Sequence, residues 1–200
     1  DDDHTNNNMD NLACICPYCH LSFHIGRAGA MGEGILAWLP QLSQTDVNHL
    51  VRTVYMAENM LHDVDFDKIT NSDQKRQYQV VNDIIFNLRG QLGLNDPKNG
   101  IPQTMCMERI GTNDPAILGT ILIGLDDKKY QDVQTKLRHV RLIPLPQRIN
   151  ESGRNIHQDM VDAWLEGPYA GLHFATWSRF LTEDVMNRIH QTWKEYAKMA

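Results

Sequence analysis

"NLACICPYCHLSFH", residues 11–24, holds three of the chain's four cysteines together with two histidines. The fourth, Cys106, stands far off. A disulfide framework spreads its cysteines along a chain, whereas clustering with CxxC spacing points to a reduced compartment and a metal. Cys16-Pro17-Tyr18-Cys19 has the spacing of a zinc knuckle, in which a tight turn aims two thiolates at one ion. Zinc takes four ligands, and this stretch offers Cys16 and Cys19 with Cys14, His20 or His24. A redox CxxC would open a helix after a strand in a thioredoxin-like pattern, and that pattern is absent.

Outside this stretch the composition is ordinary. The chain has 200 residues, 42% apolar and 22% charged, enough to bury a core. Its net charge is −6. A dedicated nucleic-acid binder carries a basic excess, so the balance weighs against one. No apolar run approaches the roughly 18–20 residues of a membrane span. The longest, "ILGTILIGL" (117–125), reads as a buried helix or strand. The chain opens on "DDDHTNNN" without Met, and the expectation is a segment of something longer.

The remainder predicts a mainly helical chain. Residues 26–34, "GRAGAMGEG", are so glycine-rich that a loop is expected. "ILAWLPQL" (35–42) is a short strand or extended arm, because Pro40 bars a helix. Ser43 or Thr45 caps a helix whose stripe is Val47, Leu50, Val51, Val54 and Tyr55. Asn71 or Ser72 caps the next, with Tyr78, Val81, Ile84, Ile85 and Leu88 on one face and Gly93 at its end. Residues 95–102 are turn-rich. Asp114 and Pro115 open a helix through 125, and residues 129–140 form another. "RLIPLP" (141–146) is extended. Two last helices fall near 155–165 and 182–197.

Other features carry less. "GRAGAMGEG" lacks the GK[ST] ending and fails GxGxxG, so it is no phosphate loop. Lys136, Arg138, Arg141, Arg148 and Arg154 form the one basic stretch, either a solvated face or a surface for an acidic partner or nucleic acid. Residues 164–177 are aromatic-rich, and Trp164 and Trp177 there suit an interface anchor or a satellite core. The remaining histidines are scattered without ligand spacing.

The stretch "TNNNMDNLACICPYCH" resembles the second half of the HNH/treble-clef nuclease motif, where an "NL" asparagine precedes a CxxCH knuckle. Asn11, Cys16, Cys19 and His20 match its positions. The resemblance implies a ββα element on zinc whose first part, with the general-base histidine and another CxxC, lies upstream of Asp1. It makes Cys14 no ligand, and Asn11 and His20 the only nuclease-like candidates. Behind it, residues 34–50, 111–123 and 136–146 resemble, in order, the IcmJ/DotN proteins of Dot/Icm-type type IV secretion and conjugation systems. That resemblance covers about residues 1–148. It implies a fold of amphipathic helices packed behind a small zinc-bound HNH-like element. The organisation expected is 1–25 as that element, 26–148 as the family's helical region, and 149–200, outside the resemblance, as a helical C-terminal extension. It implies a non-enzymatic, cytoplasmic adaptor with structural zinc on Cys16 and Cys19. Its partners would be the C-terminal tail of the coupling ATPase and associated adaptors, peripheral to the apparatus and without membrane insertion. Arg138, Arg141, Trp164 and Trp177 are the partner-facing candidates. A metal-dependent HNH endonuclease acting on DNA is the alternative.

Overall fold

The computed structural model describes residues 8, 15–62, 64–146 and 155–166. Its elements run α1 (Pro17–Leu21), α2 (Ile25–Ala30), β1 (Gly34–Trp38), α3 (Gln44–His62), α4 (Ser72–Gln91), α5 (Ile101–Ile110), α6 (Pro115–Ile123), α7 (Asp127–Leu137), β2 (Val140–Pro144) and α8 (Ile156–Glu166). The mainly helical expectation holds. Asn11, Cys14, Trp177 and the helix expected at 182–197 lie outside the described residues, as does the Trp164 side chain.

A two-stranded antiparallel ribbon organises the helices. β1 pairs with β2 from Gly34 opposite Pro144 to Trp38 opposite Val140. Successive side chains of a strand point to opposite faces. Ile35, Ala37 and Ile143 therefore enter a core with the stripe of α3, Ile85 and Leu88 of α4, and Val161 of α8. Leu36 and Leu142 enter a second core with Leu21, Ala28, Cys106 and Leu118. Both faces of the ribbon are thus covered. Its edges are closed too: the Leu36 N–H donates to the Asn113 carbonyl at 2.9 Å. The Gln44 side-chain amide pairs with the Leu142 backbone, donating at 2.7 Å and accepting at 2.9 Å. An amide side chain here makes, at Leu142, the backbone pairing that a third strand would make, and so blunts this edge of the ribbon.

The helix signals of the sequence act as read. The Ser43 hydroxyl accepts from Asp46 N–H while the Asp46 carboxylate accepts from Ser43 N–H, a reciprocal cap. Asn71 caps α4 through the N–H groups of Asp73 and Gln74. Gly93, at φ +70, lets the Leu94 N–H turn back onto the Arg89 carbonyl. Asp114 caps α6 through Ala116 N–H, a contact of about 1 kcal/mol.

Two expectations fail. Only residues 31–33 form the expected connection before β1, and the first part of the glycine-rich stretch, through Ala30, is the helix α2. Its glycines serve a close crossing with α6: a methyl on Gly29 would strike the backbone of Ala116, and one on Gly119 would lie 2.7 Å from Gly26 Cα. "ILGTILIGL" is helical as allowed, but it is not buried. Leu118 is covered while Ile117, Ile121 and Ile123 are exposed.

α8 is held by a buried polar contact. His157 Nδ1 and Tyr18 Oη share a hydrogen bond of 2.9 Å, and the imidazole meets Tyr55 edge-on at 4.8 Å. Burial pushes His157 below the ordinary histidine value, so the fold favours the neutral ring. The unfolded chain takes up a proton near 6.5. Its cost is therefore absent well above pH 6.5 and grows as pH falls from there toward the lowered folded value. Urea midpoints at pH 7.5 and 5.5 should differ more for the wild type than for His157→Gln. Equal differences would rule out His157 as a source of this acid sensitivity.

Candidate functional site

The CPYC stretch forms the start of α1. Cys16 is the N-cap in an extended conformation, Pro17 occupies the first turn, and Cys19 follows within the helix. This places the Cys19 N–H on Cys16 Sγ at 3.3 Å. Tyr18, between the cysteines, turns the other way into the main core and anchors the turn. Cys16, Cys19 and Cys106 form no disulfide.

Helix α3 supplies a polar stripe at i, i+4 spacing against this turn: Gln44, Asn48 and Arg52. Asn48 accepts from Gln44 Nε2 at 3.0 Å. Its own amide donates to Cys19 Sγ at 3.4 Å and to Ser22 Oγ at 3.4 Å. The ribbon, through Leu142, thus fixes Gln44, which fixes Asn48, which faces a cysteine sulfur. Asn48 is the candidate site residue missed from sequence. Its only signal is a polar residue, four positions after a glutamine, directly beside the apolar stripe.

Burial, the largest influence, pushes the Cys16 thiol up, while the Cys19 N–H and the Arg52 charge pull it back. The donor set fits a thiolate-bound cation: each sulfur receives an N–H donor, and bound zinc would supply the charge that burial withholds. Cys106 is pushed up to about 12 by burial, inside the second core.

The histidines face elsewhere. His20 Nε2 and His24 Nε2 meet at 3.1 Å on the exposed side of α1 and α2. Among the described residues, no group of three or more His, Cys, Asp and Glu side chains converges on a point. Neither histidine therefore completes a ligand set with Cys16 and Cys19 there.

Of the partner-facing candidates, Arg141 and Arg138 separate. Arg141 is spent on the backbone: its guanidinium donates to the carbonyls of Leu42, Arg138 and Val140 at 2.6–2.8 Å. Arg138 stays exposed, its Nε on His139 Nε2 at 2.7 Å, at the rim of a cleft of about 830 Å³. No described helix is long and apolar enough to cross a membrane.

No protein-family model matches the chain, and no solved structure matches it. A curated protein does. Over 147 residues the chain is 26% identical to the Type 4 apparatus protein DotN of Legionella pneumophila. The chain is similar to a type 4 apparatus protein. The match covers 72% of this chain and 58% of DotN, so the chain spans under two thirds of that relative's length.

Proposed function

We propose that the chain is a non-catalytic, zinc-stabilised adaptor of a Dot/Icm-type type IV secretion or conjugation system, binding the C-terminal tail of the coupling ATPase. The observation that carries this reading is the similarity to DotN across 72% of the chain. The fold supports it. Residues 34–50, 111–123 and 136–146 hold β1, α6 and β2, the pieces that build the ribbon and its second face.

Cys16 and Cys19 would hold zinc, with the remaining ligands coming from outside the described residues. The metal's part is to fix the turn that seats Tyr18 in the core. Asn48 and the Cys19 N–H orient the sulfurs. The adaptor acts in the cytoplasm at the periphery of the apparatus, with associated adaptors bound to the same tail. Full-length protein co-expressed with that tail should co-purify with it at fixed stoichiometry. Free protein after equimolar co-expression would count decisively against the reading.

A metal-dependent HNH endonuclease is the second reading, favoured by the meeting of His20 and His24. Their 3.1 Å separation suits two nitrogens on one ion at about 2.0–2.1 Å each. Asn11 would be its other candidate. The adaptor reading expects plasmid DNA to stay supercoiled with full-length protein and Mg²⁺ or Mn²⁺. Nicking that His20→Ala abolishes would replace it.

A further inference from the structure

The cleft beside Arg138 has a composition unlike the rest of the chain. Among the described residues, Arg109, Lys136, Arg138 and His139 line it, and no aspartate or glutamate does. Across the whole sequence acids outnumber bases, 25 to 19, so a lining with only basic ionisable groups runs against the average. The Arg109 guanidinium lies over the Trp38 ring, 4.8 Å from its centroid, which holds both side chains at the mouth. Below the rim the floor is aliphatic, made by Leu118, Ile121 and Leu137.

This floor continues. Leu118 and Leu137 also line an adjoining cavity of about 540 Å³ that reaches Phe23, Cys19 and Asn48. The Phe23 side chain in it is 75% exposed. On the other side, Ile121 leads to Ile117 on the same exposed strip of α6. An apolar track thus runs from the cysteine turn to a cationic rim. Large exposed apolar surface with a charged margin marks a binding surface.

We propose that this track docks an acidic peptide segment of a partner protein. Aliphatic or aromatic side chains would enter the floor, and carboxylates would meet Lys136, Arg138 and Arg109. Charge complementarity selects the occupant: a basic segment would be repelled at the rim, and an acidic one is attracted to it by Lys136 and Arg138. The adjoining floor favours a peptide over a single anion, because the apolar part exceeds what an inorganic ion can use. The inference rests on the adaptor reading and names the chemistry of the segment that an adaptor would hold.

The test uses full-length protein, wild type and Lys136→Glu/Arg138→Glu, with Lys136→Glu alone as a milder variant. Both positions are exposed, so thermal midpoints should match the wild type. Three fluorescent probes are titrated: the coupling ATPase tail, a twelve-residue peptide alternating glutamate with leucine, and a twelve-nucleotide oligothymidine. The expected result is that the tail and the acidic peptide bind the wild type. The double variant should then bind both at least tenfold more weakly, with the single variant between. A tail that binds all forms equally overturns the cleft and leaves the adaptor reading standing. Failure of tail and acidic peptide to bind the wild type overturns both. Oligothymidine binding without peptide binding, lost in the double variant, would make the cleft a nucleic-acid site and overturn the proposal.

Discussion

Gly29→Ala should lower the thermal midpoint by about 4–12 °C. The added methyl meets the backbone N and the Cα and Cβ of Ala116, and backbone cannot rotate away as a flexible side chain can. Overpacking of this kind costs about 2–3 kcal/mol, and each kcal/mol moves the midpoint of a chain this long by about 2–4 °C. The neighbouring position supplies the control. A methyl on Gly26 would lie at ordinary contact distance, 3.8 Å from Gly119 Cα. Gly26→Ala also gains helix propensity of up to about 1 kcal/mol. It should be neutral or stabilising, while Gly119→Ala should behave like Gly29→Ala. Equal midpoints for Gly26→Ala and Gly29→Ala would show that the α2–α6 crossing is not as close as described.

Cys16→Ser should have the other large effect. Full-length wild-type protein is expected to carry one zinc and the variant almost none. Structural zinc in small domains stabilises by about 10 kcal/mol or more at neutral pH. Losing even a third of that would lower the midpoint by about 6–13 °C. Cys106→Ser should keep its zinc, because Cys106 lies in the second core, away from the knuckle. Elemental analysis of the three purified proteins decides the matter. Unchanged zinc in Cys16→Ser would remove Cys16 from the ligand set.

What the sequence made legible, and what it hid, follows from the range of the forces. Caps and stripes act within one helical turn, so Ser43, Asn71, Asp114 and the Val47–Tyr55 stripe could be read directly. Pairing of β1 with β2 joins residues about a hundred positions apart, yet prolines and apolar runs still marked both strands as extended. The α2 error came from treating glycine as a breaker. At Gly29 and Gly119 it is chosen for what lies across the interface, and nothing local announces that partner. α5 was hidden by the turn-rich run before it, although Pro102 sits in its first turn where proline is well tolerated. The burial expected of α6 failed for a related reason. An unbroken apolar run looks buried, and only tertiary packing leaves Ile117 and Ile121 outside. In the site, the CxxC spacing predicted a tight turn, and that turn is present, with the Cys19 N–H on Cys16 Sγ. Gln44, Asn48 and Arg52 could not be assigned to it, because their role depends on which face α3 turns toward α1. Arg141 and Arg138 looked alike in sequence. Strand geometry turns one onto the backbone and leaves the other at a cleft.

The most direct test of the zinc-stabilised adaptor is calorimetric. Full-length protein with zinc bound is titrated with the C-terminal tail of the coupling ATPase, and again after chelation. One tail per protein, bound by the zinc form and lost on metal removal, is the predicted result. No heat of binding from the zinc-loaded protein would contradict the account.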